Sequence, residues 1–169
     1  MTNKFNTLFV TMLGIGKIKI IPGTLGSLAT VIILYILFHL LDISSNLILL
    51  GLVIVFIYSF YAVRNYILNI EDKDPREIVI DEFIGQSIPI YLYEVSHGTE
   101  KSPDEAIIFY LICFMLFRFF DIRKPFPVNY FDRNFKNSFG VIMDDVCAGL
   151  YVVAVLVLYM VITTWKNFC

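Results

Sequence analysis

The sequence predicts an all-α membrane protein, a polytopic bundle of about five membrane-crossing helices with an interfacial N-terminal helix. Three observations predict it. Of 169 residues, 58% are apolar and only 17% charged, with a mean hydropathy of +0.75, well outside the soluble range. Long stretches carry no charge at all, and the basic residues cluster in alternate connections. At this length a single domain, residues 1–169, is expected. The net charge of −2 excludes a generally basic, nucleic-acid-binding surface.

The elements follow in order. Phe5, Leu8, Phe9, Met12 and Leu13 recur at helical spacing, as in a helix lying against the bilayer surface. No small-residue cleavage site follows them, so the segment is expected to be retained. The first span runs from Ile20 to Leu41, its helix beginning near Thr24, and the second from Ile43 to Val63. Val146 to Trp165 is the clearest, uncharged throughout. Each is long enough for roughly 30 Å of hydrocarbon at about 1.5 Å per residue. Phe83–Tyr93 is shorter and contains Gln86 and Pro89; it either spans or dips back. Ala106–Phe117 spans only if its helix continues through Arg118 toward Asp121.

The basic residues arbitrate between these alternatives. With the N-terminus inside and five crossings, 11 of the 13 Lys and Arg residues fall on the cytoplasmic side, leaving Lys101 and Lys166 outside. A four-crossing arrangement would send the basic 118–136 stretch outward. Five crossings also make residues 64–82 and 121–145 long cytoplasmic segments, where function is expected.

Cys113, Cys147 and Cys169 lack metal-type spacing and read as small buried hydrophobes. His39 and His97 have no second His at helical spacing, which gives little support to zinc or His-nucleophile chemistry.

The carboxylates are more informative. Asp81-Glu82 and Asp144-Asp145 are expected at helix starts, where an acid ordinarily caps free N–H groups. Capping accounts for one acid of each pair but not for two adjacent acids twice. Asp121, near a helix C-terminus, faces the unfavourable end of the dipole and needs a cation. That cation is either Arg118, three residues earlier on the same face, or a hard divalent ion held jointly by the carboxylates. Oxygen-only ligands select Mg²⁺ over zinc or copper. Lys124, fixed by the prolines at 125 and 127, is placed either to anchor the interface or to bind phosphate. Pro22-Gly23-Thr24 makes a turn with Thr24 as the cap of the first span, and the free N–H groups there suit an anion. Gly26, Ser27, Gly85, Ala148 and Gly149 are small enough for close helix packing around such a site.

Four ordered blocks carry a family resemblance: Pro22-Gly23-Thr24-x-Gly26-Ser27, Ile78-Val79-Ile80-Asp81-Glu82-x-x-Gly85-Gln86, Phe117-Arg118-x-Phe120-Asp121-Ile122-x-Lys124-Pro125-x-Pro127 and Asp144-Asp145-x-x-Ala148-Gly149. Together they resemble the phosphatidylglycerophosphatase A family, bacterial enzymes that convert phosphatidylglycerophosphate to phosphatidylglycerol. Lys19 and Ile21 stand where that family tends to have Pro and Ala, and Phe126 where Trp is frequent. The resemblance implies Mg²⁺-dependent hydrolysis of a phospholipid phosphomonoester at the cytoplasmic face of the bacterial inner membrane. It makes Asp81, Glu82, Asp121, Asp144 and Asp145 the expected metal-binding and catalytic carboxylates. Lys124 joins them in catalysis, and Thr24, Arg118 and Lys124 are expected to bind substrate. The expected nucleophile is a Mg²⁺-activated water with one acid as base, although an aspartyl-phosphate route fits the same residues. A cation transporter would instead carry its acids along the span interiors, which here are nearly free of charge.

Overall fold

A computed structural model describes residues 4–68, 75–97 and 103–168 of the chain. Among them are seven α-helices and no strand: α1 (Lys4–Val10), α2 (Pro22–Tyr35), α3 (Ser45–Ile67), α4 (Ile80–His97), α5 (Pro103–Arg123), α6 (Val128–Asn134) and α7 (Ser138–Phe168). α2 runs on into a wider π turn, Ile36–Leu40. Three stretches are long and apolar enough to cross a membrane: Pro22–Leu40, Ser45–Ile67 and Ser138–Trp165. α4 and α5 are unbroken helices of 18 and 21 residues, each with at least three charged residues. Lys73, Lys101 and Cys169 lie outside the described residues, as does the side chain of Lys166.

Local chemistry explains where the helices begin, and corrects two expectations. α2 starts at Pro22, whose fixed φ suits the first helical position and whose missing N–H costs nothing there. Its N-cap is Ile21, with φ 45°, and no side chain caps it; Thr24 is therefore the third helical residue and not the cap. α7 begins well before Val146, because Asn137 Oδ1 accepts hydrogen bonds from the N–H groups of Phe139 (3.0 Å) and Gly140 (3.1 Å). Asp144 and Asp145 consequently sit in its second turn, facing neighbouring helices, and do not cap a start. Asp81 and Glu82 do occupy the first turn of α4.

Glycines set the tightest approach in the bundle. A Cβ on Gly149 would run into the carbonyl oxygen of Gly85, and one on Gly85 into the carbonyl of Asp145. α4 and α7 thus meet backbone to backbone, which carries Asp145 up to the first turn of α4. Pro89, lacking an N–H, leaves that same Gly85 carbonyl without its helical donor. A Cβ on Gly26 would likewise crowd Val79 at 2.9 Å, fixing α2 against the entry to α4.

α1 is shorter than the apolar stripe implied. Asn6 and Val10 are buried, and Asn6 Oδ1 accepts a 2.6 Å hydrogen bond from Tyr58 on α3. Phe9 packs edge-on to the same ring, whereas Phe5, Leu8 and Leu13 are exposed. Cys113 and Cys147 are buried thiols. His39 is not isolated in space: its Nε2 lies 3.3 Å from Glu94 Oε1 on α4.

Candidate active site

One cavity of about 340 Å³ lies at the end of the bundle where α2 and α4 begin and α5 ends. Its lining includes every residue expected from the sequence to bind metal or substrate or to act in catalysis: Thr24, Asp81, Glu82, Arg118, Asp121, Lys124, Asp144 and Asp145. Five carboxylates are brought there from three helices. Asp81, Asp144 and Asp145 are buried, with 7%, 8% and 4% of their surface exposed.

The carboxylates divide by partner. Asp121 Oδ2 pairs with Arg118 Nη1 at 2.7 Å, so the same-face ion pair forms. The same guanidinium nitrogen lies 4.0 Å from Glu82 Oε1 and donates a 3.4 Å hydrogen bond to Ser27 Oγ. Lys124 Nζ donates to Asp144 Oδ2 at 3.0 Å and to Asp132 Oδ1 at 2.6 Å. Burial alone would lower the Lys124 pKa; Asp144 and Asp132 outweigh it and hold the ammonium above its ordinary value, so it stays charged. Its position is fixed by the backbone, since Lys124 has φ 44° where α5 stops ahead of Pro125.

Asp81, Glu82 and Asp145 are different. One oxygen from each lies within 4.8 Å of the others. Glu82 Oε2 and Asp145 Oδ1 are buried with no hydrogen-bond donor in reach among the described residues. Two ionised carboxylates at that spacing repel by roughly 3–4 kcal/mol at an effective dielectric of about 20, and buried acids without donors pay desolvation as well. A cation held between them removes both penalties. The donor set is all oxygen, which fits Mg²⁺ or another hard divalent ion. Gly23 leaves room for the arrangement, because a Cβ there would strike Glu82 Oε1 and stand 3.4 Å from Arg118 Nη1.

Two charged participants escaped the sequence analysis. Asp132, on α6, holds Lys124 together with Asp144. Arg76 lines the cavity just ahead of α4. Asp132 lies eight residues beyond Lys124 across a proline-rich turn, a separation that carries no periodic signal. For Arg76 the only hint is its closeness to Asp81 in the chain.

These features define a class: a helical membrane protein whose acid-rich cavity, flanked by cations, can accept a phosphate group. Comparison with known proteins narrows it. The family described as phosphatidylglycerophosphatase A matches residues 8–160. The chain is 39% identical to phosphatidylglycerophosphatase A of Haemophilus influenzae over 142 residues, covering 84% of this chain and 80% of the relative. It is 31% identical over 166 residues to the Escherichia coli protein of the same name, covering 98% and 87%. It is also 34% identical to a Bacteroides thetaiotaomicron protein provisionally named a phosphatidylinositol-3-phosphatase, covering 83% and 84%. No solved structure matches. The chain belongs to the phosphatidylglycerophosphatase A family and is a phosphatase.

Proposed function

We propose that the protein is a Mg²⁺-dependent lipid phosphatase that hydrolyses the terminal phosphomonoester of phosphatidylglycerophosphate, releasing phosphatidylglycerol and phosphate at the cytoplasmic face of the inner membrane. The observation that carries this reading is the joining of Asp81, Glu82 and Asp145, close together and short of donors, with Lys124 and Arg118 in one cavity at the bundle's end. Names of the relatives supply the lipid.

Asp81, Glu82 and Asp145 would hold the ion, with Asp121 and Asp144 close by but engaged by Arg118 and Lys124. Mg²⁺, when bound, supplies Lewis acidity and offsets the cluster's negative charge. Lys124 and Arg118 receive the phosphoryl oxygens and balance charge that grows on them, which is most of what phosphoryl transfer asks of a protein. By helix geometry the N–H groups of Gly23 and Thr24 have no partner inside α2, and both residues line the cavity, where such groups suit an anion. One cavity carboxylate takes the proton from the attacking water and returns it to the leaving alcohol.

For topology, the same reading gives α4 and α5 as the remaining two of five spans, at about 27 and 31 Å of helix. α1 then lies at the interface. Single cysteines placed at Lys19 and Lys136 should label from the cytoplasm and one at Asp42 from outside. Labelling of position 42 from the cytoplasm would remove this topology.

Phosphate release from purified protein in detergent tests the function directly, with phosphatidylglycerophosphate, phosphatidylinositol 3-phosphate and phosphatidate each offered with Mg²⁺ and with excess chelator. Turnover of phosphatidylglycerophosphate that stops with chelator is the expected result. Preference for the inositol lipid would move the substrate assignment, and full activity in chelator would remove the metal.

A further inference from the structure

Of the four aliphatic side chains that line the acidic cavity, Ile78 and Val141 are buried in the core, but two others are exposed in a way that a water-facing anion site does not call for. Ile21, the N-cap of α2, and Ile122, in the last turn of α5, both line it. Both are nevertheless 60% and 69% exposed. Each is the sequence neighbour of a polar element of the site, Ile21 of the Pro22-Gly23-Thr24 turn and Ile122 of Asp121. Their chain neighbours Ile20 and Phe126 are exposed as well, at 73% and 72%. Arg123 places its guanidinium over the ring of exposed Phe119 at 5.8 Å, a charge above an apolar collar as at a membrane interface.

The backbone adds an independent sign. Ile21 sits in the left-handed region, φ 45° and ψ 53°, which a β-branched residue adopts only under constraint. Strain of this kind collects where a site fixes its geometry. Its cause lies in the next residue, because Pro22 begins α2 at once and Ile21 must turn the chain into it.

Building on the phosphatase reading, we infer that Ile21 and Ile122 form a lateral portal between the start of α2 and the end of α5, through which a phospholipid passes its headgroup while the length of an acyl chain lies against the isoleucines. The occupant is a phospholipid because an amphiphile presents a phosphate to the polar cavity and an apolar chain to the exposed isoleucines that line it. A water-soluble phosphomonoester would gain nothing from two exposed isoleucines at the mouth of the site. The portal makes the pair specificity determinants: they select for a lipid, while the carboxylates and Lys124 act on its phosphate.

Two measurements test this. Ile21→Asn and Ile122→Gln should lower the ratio of kcat/KM for dioleoyl over dihexanoyl phosphatidylglycerophosphate by about tenfold, since burial against a long chain is what each side chain contributes. Separately, Ile122→Trp in a Trp165→Phe background leaves one tryptophan, whose emission should be quenched by phosphatidylcholine brominated near the carboxyl end of its chains. Equal losses on both lipids, or no quenching, overturn the portal. If the unmodified protein turns over neither lipid, the substrate reading fails instead, and absence of quenching would still overturn the portal.

Discussion

The two ends of this bundle handle buried charge in opposite ways. At the far end, the one prominent acid–base contact among the described residues is His39 with Glu94, at 3.3 Å. Aromatic rings enclose it, with Tyr35 at 4.9 Å and Tyr110 at 6.0 Å from the imidazole. At the near end, five carboxylates share a cavity with Arg76, Arg118 and Lys124. That leaves a formal excess of two negative charges in the lining, three with Asp132 counted, and two of the acids hold buried oxygens without donors among the described residues. A matched pair is a structural solution, complete as folded. A mismatched cluster in apolar surroundings is tolerable only if something else balances it, so the mismatch marks the functional end.

The largest expected effects come from removing what the mismatch is built to hold. Asp81→Asn and Asp145→Asn should each give folded protein with turnover lowered on the order of a hundredfold or more, about 2.7 kcal/mol of transition-state stabilisation. Asn preserves shape and capping but not charge, so a purely structural acid would lose little. Initial rates against Mg²⁺ concentration, with circular dichroism to establish folding, check this. Rates near normal in both variants would return the near end to the structural category of the far end.

Intermediate effects separate the groups that touch phosphate from those that position them. Lys124→Ala should lower kcat at least as strongly as it raises KM, by roughly thirtyfold, because the ammonium matters most as charge develops on the phosphoryl oxygens. A change in KM alone would make Lys124 a headgroup anchor. Asp132→Asn should cost less, about fivefold, since Asp144 still holds the ammonium when Asp132 no longer carries charge. The positioning role predicts that this loss disappears in a Lys124→Ala background, the coupling a double-mutant cycle reads.

The contrast between the ends also explains what could be read from the sequence. The spans of α2 and α3 were legible because uncharged runs near 20 residues have one comfortable solvent. The near-end acids were legible because carboxylates beside apolar helices are expensive and must have a purpose. The start of α7 was not, since a single Asn side chain moved it from Val146 to Ser138 and took the Asp144-Asp145 pair away from a helix start, so that neither acid caps one. The close α4–α7 contact was foreshadowed by Gly85 and Gly149, though which carboxylate it would deliver was not. Partners far apart in the chain stayed hidden: His39 and Glu94 are 55 residues apart, and Lys124 meets Asp132 around a proline turn. Periodicity reports on one helix at a time, whereas these pairings depend on how helices dock.

The smallest effect on chemistry is expected at the far end, and it sharpens the comparison because it changes stability without changing rate. Glu94→Leu deletes the acceptor near His39 and leaves a largely buried ring nitrogen without its partner, a loss of about 1–3 kcal/mol. Thermal unfolding in detergent should show a midpoint lowered by several degrees. The residue stands between three and four helical turns along α4 from Asp81, roughly 20 Å by helix rise, and touches no group that lines the acidic cavity. Turnover at a temperature where the variant remains folded should therefore stay within about twofold of the parent, as expected for a distant site with no shared partner. Glu94→Gln, which keeps an acceptor, should recover most of the lost stability. A large fall in kcat for Glu94→Leu in protein shown to be folded would mean that the matched pair is coupled to the chemistry, and the division between the two ends would no longer hold.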